Sequence, residues 1–166
     1  MQFKRLRGFE AVITISSSIH QNTGVFRLMY VSIATSPLEV DELKAIERVA
    51  IRKNAELHIS GLLTYCDGKF MQFLEGEQAD VEEIFAKIVG DRRHHSIDVM
   101  RQGIIPKRQF KDWQMKYADI HDIKENEGYI YDKLFNIGNG AHNVLEHAQE
   151  SLKLLLAFKK SCPSQI

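Results

Sequence analysis

Residues Val25–Ala34 are rich in β-branched and aromatic side chains and alternate like a strand. Phe26, Leu28 and Tyr30 fall on one face, and Met29, Val31 and Ile33 on the other. Ser36-Pro37-Leu38-Glu39 then has the form of a capping box, with Ser36 as cap, Pro37 at the first helical position and Glu39 reaching back. Val40, Leu43, Ile46, Val49 and Ala50 follow at helical spacing and predict a helix to about Asn54. His58–Tyr65 and Lys69–Leu74 read as a hairpin turning at Asp67-Gly68, a pair that tolerates the positive φ of a two-residue loop. A second helix spans about Ala79–Val89, with Val81, Ile84, Phe85 and Ile88 on one stripe. Two more strands, Ile97–Ile105 and Trp113–Ala118, flank Pro106 and a solvated basic loop, Lys107 to Lys111.

The predicted fold class is α+β: a ferredoxin-like βαββαββ mixed sheet, its two helices on one face. The first and third strands are expected side by side and parallel. Met29, Val31, Met71 and Phe73 on the opposite face are too apolar to meet water. Leu145, Ala148, Leu152, Leu155 and Leu156 form the amphipathic stripe that would cover them, behind a capping pattern of Asn143 and Glu146. A shorter helix is expected at Tyr129–Phe135. The chain thus divides into an extension (1–24), a domain (25–120) and a C-terminal helical cap (121–166).

Composition narrows the classes. Of 166 residues, 22 are Lys or Arg and 22 are Asp or Glu, so the overall basicity usual in a nucleic-acid binder is absent. No apolar run is long enough to span a membrane. The apolar stretch Ala11–Ile15 behind Lys4, Arg5 and Arg7 is too short for a signal peptide. Cys66 and Cys162 allow at best one bridge and no metal cluster; Cys66 reads as an ordinary edge thiol. His94 and His95 would point to opposite sides of an extended segment, so no metal site is expected. The expectation is a soluble protein of a reducing, cytoplasmic compartment.

Several positions sit oddly in a plain core. Gln72 lies between Phe70 and Leu74 on the helix-bearing face, where an unpaired amide group costs about 1–3 kcal/mol. Parity and topology place Tyr30 beside it, so the two can satisfy each other or Gln72 can bond nearby backbone. Asn54 reads either as a helix cap or as a recognition residue. Trp113 and Met115, two apart on the last strand, are expected to share a face. Together these residues put a phenol, two amides and a thioether near the cleft between the helices, a set that suits a flat polar ring.

Several segments agree in order and spacing with one family. Arg27-Leu28-Met29-Tyr30-Val31-Ser32, then Asn54 with Ile59-Ser60-Gly61-Leu62-Leu63-Thr64-Tyr65, then Gly68-Lys69-Phe70-Met71-Gln72-Phe73-Leu74-Glu75-Gly76, with Asp91-Arg92-Arg93-His94-His95 and Trp113-Gln114-Met115, resemble the BLUF family, blue-light sensors that use a flavin. The resemblance runs from Arg27 to about Ile120 and implies the short, single-domain type.

The resemblance implies a flavin between the two helices: FAD, with FMN or riboflavin as alternatives. Tyr30 would be the electron and proton donor, and Gln72 the switching amide. Asn54 would hold the pyrimidine end, and Ile46, Ile59 and Ile88 would sandwich the ring. Asp91, Arg93 and His94 would meet the ribityl and phosphate tail, with Lys53 near the ring or the phosphates. Trp113 and Met115 would report the switch. Ala50 stands where relatives often carry Ser, and Lys53 where Asn or His is common; photocycle lifetime is where these departures should show. The stretch after Ile120 is too short for a cyclase or phosphodiesterase domain. The expected output is therefore contact with a downstream regulatory protein, from a homo-oligomer that is not an enzyme. Two other readings stay open: a light-inactive ferredoxin-like interaction module, and a small hydrolase on the same scaffold. The hydrolase reading lacks an anion-cradling loop at Ile33–Pro37, and the colour of the purified protein separates the others.

Overall fold

The computed structural model describes residues 24–123 and 142–163, with side chains from 146 onward in the second stretch. Five strands, β1 (Val25–Ala34), β2 (Ser60–Cys66), β3 (Lys69–Gly76), β4 (His94–Ile105) and β5 (Lys116–Asp119), form one sheet in the order β4-β1-β3-β2-β5. Helices α1 (Val40–Glu56) and α2 (Gln78–Val89) pack on one face, and α3 (His142–Lys160) on the other. The expected extension, apart from Gly24, and the short helix at Tyr129–Phe135 lie outside the described residues. Asn143 lies inside α3, which begins at His142, rather than ahead of it as a cap; its side chain and that of Leu145 lie outside the described residues.

β1 and β3 are neighbours, as expected, but antiparallel rather than parallel. The reason is topological: each crossover helix returns the chain to the same end of the sheet. β1 and β2 therefore point the same way, and the hairpin reverses β3, which lies between them. The hairpin turns at Asp67 (φ 47°) and Gly68 (φ 74°), both left-handed as a two-residue loop demands. Gly68→Ala is expected to cost about 1 kcal/mol, because only Gly adopts this conformation without steric cost. A lowered urea midpoint at unchanged slope would show it.

The cap of α1 also differs from expectation. Glu39, not Ser36, is the cap, forming a reciprocal box with Glu42. Leu38 N–H bonds the Tyr65 hydroxyl (3.0 Å) instead of entering the helix. Along α1, Leu43 is buried, Ile46 and Ala50 are half-buried, and Val40 and Val49 stay exposed.

Two apolar clusters sandwich the sheet. Phe26, Leu28, Tyr30, Phe70 and Leu74 meet Leu43, Val81 and Ile84 on the helix-pair side. Met29, Met71 and Phe73 meet Ala148, Leu152, Leu155 and Phe158 of α3 on the other. Strand parity thus holds along β1 and β3, and α3 is the cover that the apolar second face requires. Cys66 is no free edge thiol: it is buried and disulfide-bonded to Cys162, Cα–Cα 6.0 Å, joining the end of β2 to the residue pair beyond α3.

Candidate functional site

A cleft of about 110 Å³ opens between α1 and α2 over β3. Ile46, Val49 and Ala50 of α1 face Ile84 and Ile88 of α2 across it. The amides of Asn54 and Gln72 line it deeper, and Lys53, Lys87, Asp91 and Arg93 complete the wall. Val49 is 42% exposed, so an apolar wall stands uncovered. Apolar sides, buried amides and a cationic rim together suit a flat heteroaromatic ring with an anionic tail.

Both amides are held by the fold. Gln72 pairs across the sheet with Tyr30, and the Tyr30 hydroxyl donates to Gln72 Oε1 in a very short buried bond. Burial, aided by the Asp91 charge, raises the Tyr30 phenol above its ordinary 10.0, so it is neutral at physiological pH. Gln72 Nε2 lies 3.7 Å from the Met115 sulfur. Asn54 is not the terminal cap of α1, which runs on to Glu56. It is buried in the last turn, and its Nδ2 donates to the Gln114 carbonyl (2.7 Å).

The Arg93 guanidinium bonds both Asp91 oxygens through Nε (3.0 Å each) and holds that carboxyl down at about 2. His94 uses both ring nitrogens within the protein: Nε2 at 2.8 Å from the Ile88 carbonyl, Nδ1 at 2.8 Å from Ser32 Oγ. A carbonyl only accepts, so Nε2 carries a proton, and in the neutral ring Nδ1 accepts from the Ser32 hydroxyl. The His94 ring stands 6.3 Å from that of Tyr30, beside the cleft rather than lining it. Ile59 likewise lies in the core behind the wall.

Trp113 and Met115 do not share a face. They precede β5 in an irregular segment, where strand parity does not apply. Met115 packs on the helix-pair side. Trp113 packs on the α3 side, stacked on Phe110 at 6.4 Å with the Lys116 ammonium 4.2 Å above its ring. Sequence reasoning missed Val49, Ile84 and Lys87 as lining residues. Ile84, Lys87, Ile88 and Asp91 recur at helical spacing, which was the available signal.

The profile described as BLUF, sensors of blue-light using FAD, matches residues 25–116. The chain belongs to the BLUF family. It is 37% identical over 113 residues to the photoactivated adenylate cyclase subunit beta of Euglena longa, covering 67% of this chain and 13% of that one. Among solved structures it resembles BlsA in its ground state (33% identity, TM-score 0.58, 80% of this chain and 85% of that one). It also resembles a bacterial light-regulated adenylyl cyclase (28%, TM-score 0.58, 80% and 36%). The chain spans about 13% of the length of such curated cyclase relatives.

As a BLUF domain, residues 25–116 form a flavin-using blue-light sensor, and the cleft has the donors and apolar walls that such a cofactor needs. Among the described residues no helix is long and apolar enough to cross a membrane, and no cluster of His, Cys, Asp or Glu is arranged to hold a metal.

Proposed function

We propose that this BLUF protein converts blue light into a changed hydrogen-bond state of Gln72, driven by electron and proton release from Tyr30. The carrying observation is the buried Tyr30–Gln72 bond at the cleft. Ile46 and Ile88, supported by Ile59, would hold the ring, and Asn54 its polar edge. Lys53, Lys87 and Arg93 would hold the tail, with Asp91 orienting Arg93 and His94 bracing the wall. The bound flavin supplies blue-light absorption and an electron acceptor. Tyr30 releases its electron, and a phenol that has lost one is strongly acidic, so its proton leaves along the existing bond to Gln72 Oε1. An amide that turns or tautomerises then exchanges donor for acceptor in the cleft. Met115, against Gln72 Nε2, is the first group to feel this.

Output through contact with a downstream regulatory protein completes the proposal. It would come from a cytoplasmic homo-oligomer with no reaction of its own. The test is the visible spectrum of the purified protein before and after blue light. Flavin bands that move slightly to the red and return in darkness are expected. Bound flavin with no shift would overturn the reading.

A further inference from the structure

Glu75 is fully buried on the α3 side of β3, on the face carrying Met71 and Phe73, where a carboxylate has no place in a plain core. Its Oε2 accepts the backbone N–H groups of Gln109 (2.9 Å) and Phe110 (3.0 Å). These two residues lie in the irregular 106–115 segment, which runs on through Trp113 to Met115. Phe110 stacks on Trp113, whose N–H bonds the Phe110 carbonyl (3.0 Å). The segment then crosses the sheet edge to bring the Met115 sulfur to Gln72.

The same carboxylate borders a polar chain to α3. Arg27, its cross-strand partner, donates to Ser151 Oγ (2.8 Å) and pairs with Glu150 (2.5 Å), while Ser151 Oγ donates to Gln109 Oε1 (2.8 Å). We propose that Glu75 is a positioning residue for the photoresponse. By clamping Gln109 and Phe110 it sets how firmly Met115 is pressed against Gln72, and it shares that setting with α3. The inference rests on the Tyr30–Gln72 reading above.

The clamp has two strengths. Oε1 has no hydrogen-bond partner among the described residues, so a proton settles there while Oε2 keeps both N–H bonds in weaker, uncharged form. The groups facing Glu75 are Arg27 from β1 and Arg108 from the 106–115 segment. Ser60 of β2 does not titrate, and Glu150 of α3 is engaged with Arg27 and Arg101. Burial lifts the Glu75 carboxyl from 4.5 to about 7, against the pull of the two N–H groups and both arginines. With the folded value raised, this group's contribution to stability is full below 4.5 and is lost as pH rises through 7.

The test uses the full flavin-loaded chain, its Glu75→Gln variant and Tyr30→Phe. Gln keeps a carbonyl for both N–H groups and removes the charge switch. In the parent protein, dark recovery should be faster below the Glu75 midpoint than above it by about fivefold, the size expected when a charge-assisted bond weakens. Emission from Trp113, the single tryptophan, should titrate with the same midpoint in the dark. Both profiles should flatten in Glu75→Gln, whose red shift on illumination persists. Parallel profiles in parent and variant, or no pH dependence in the parent, would overturn the proposal. A light-driven shift retained in Tyr30→Phe would instead sink the underlying photochemical reading, and Trp113 emission would still judge the clamp.

Discussion

Tyr30→Phe is expected to abolish the light-driven red shift while flavin stays bound. The phenyl ring fills the same core position, against Phe85 at 5.4 Å, so the cleft walls should survive. What goes is the hydroxyl. Gln72 Oε1 loses its donor, at a cost of about 1–3 kcal/mol for a buried group left unsatisfied. On the proposed photochemistry the site also loses the group that gives up an electron and passes a proton to Gln72. Absorption spectra of parent and variant at equal flavin occupancy measure the effect. A variant that still shifts and recovers would show that the trigger lies outside this pair.

The second large effect is predicted for Gly61→Ala. A Cβ at Gly61 would stand 2.2 Å from the Phe73 carbonyl oxygen and 3.2 Å from the Met115 methyl. The first contact is with backbone and cannot be relieved by a rotamer, so β2 must move off β3. That strain should cost roughly 2–4 kcal/mol. Gly61 N–H also holds the Trp113 carbonyl (3.0 Å), so the displaced strand carries the Trp113–Met115 segment with it. Chemical denaturation should show the lost stability, and dark recovery should change alongside. Unchanged stability would mean that the strands separate here without penalty.

Much of the fold was legible because it is local. Alternation in β1 and β3 put Tyr30 and Gln72 on one face and Met29 and Phe73 on the other, and the Asp67-Gly68 pair announced its own turn. The pair at the heart of the site followed from those two facts. Strand direction was misread because it depends on where crossovers return the chain, which no single strand reports.

Trp113 and Met115 were misassigned for a different reason. Their segment is shaped by Glu75, Asn54 and Gly61 reaching its backbone from distant elements. Periodicity has nothing to say about such a stretch. Glu75 itself carries a signal in the sequence: a carboxylate sharing strand parity with Met71 and Phe73 must have buried partners. The Cys66–Cys162 bond joins residues 96 apart and left no local signal.

That bond changes what α3 can do. In the oxidised protein the helix is joined covalently to the sheet just beyond its last turn, a tie that a reducing cytoplasm would open. Nearer its middle, Glu150 holds it through the buried Arg27 and the exposed Arg101, and of the two it is the Arg101 contact that water and salt can compete for. The helix is a rod about 28 Å long, and Ala148, Leu152, Leu155 and Phe158 seat it on the sheet along its length. A loosening at Arg27 would therefore act on the half of α3 that leads to His142, the half farther from the covalent tie at Cys162. The tie leaves the Cys162 end as the fixed reference, so a light-dependent change in α3 is expected on its Glu150 side instead.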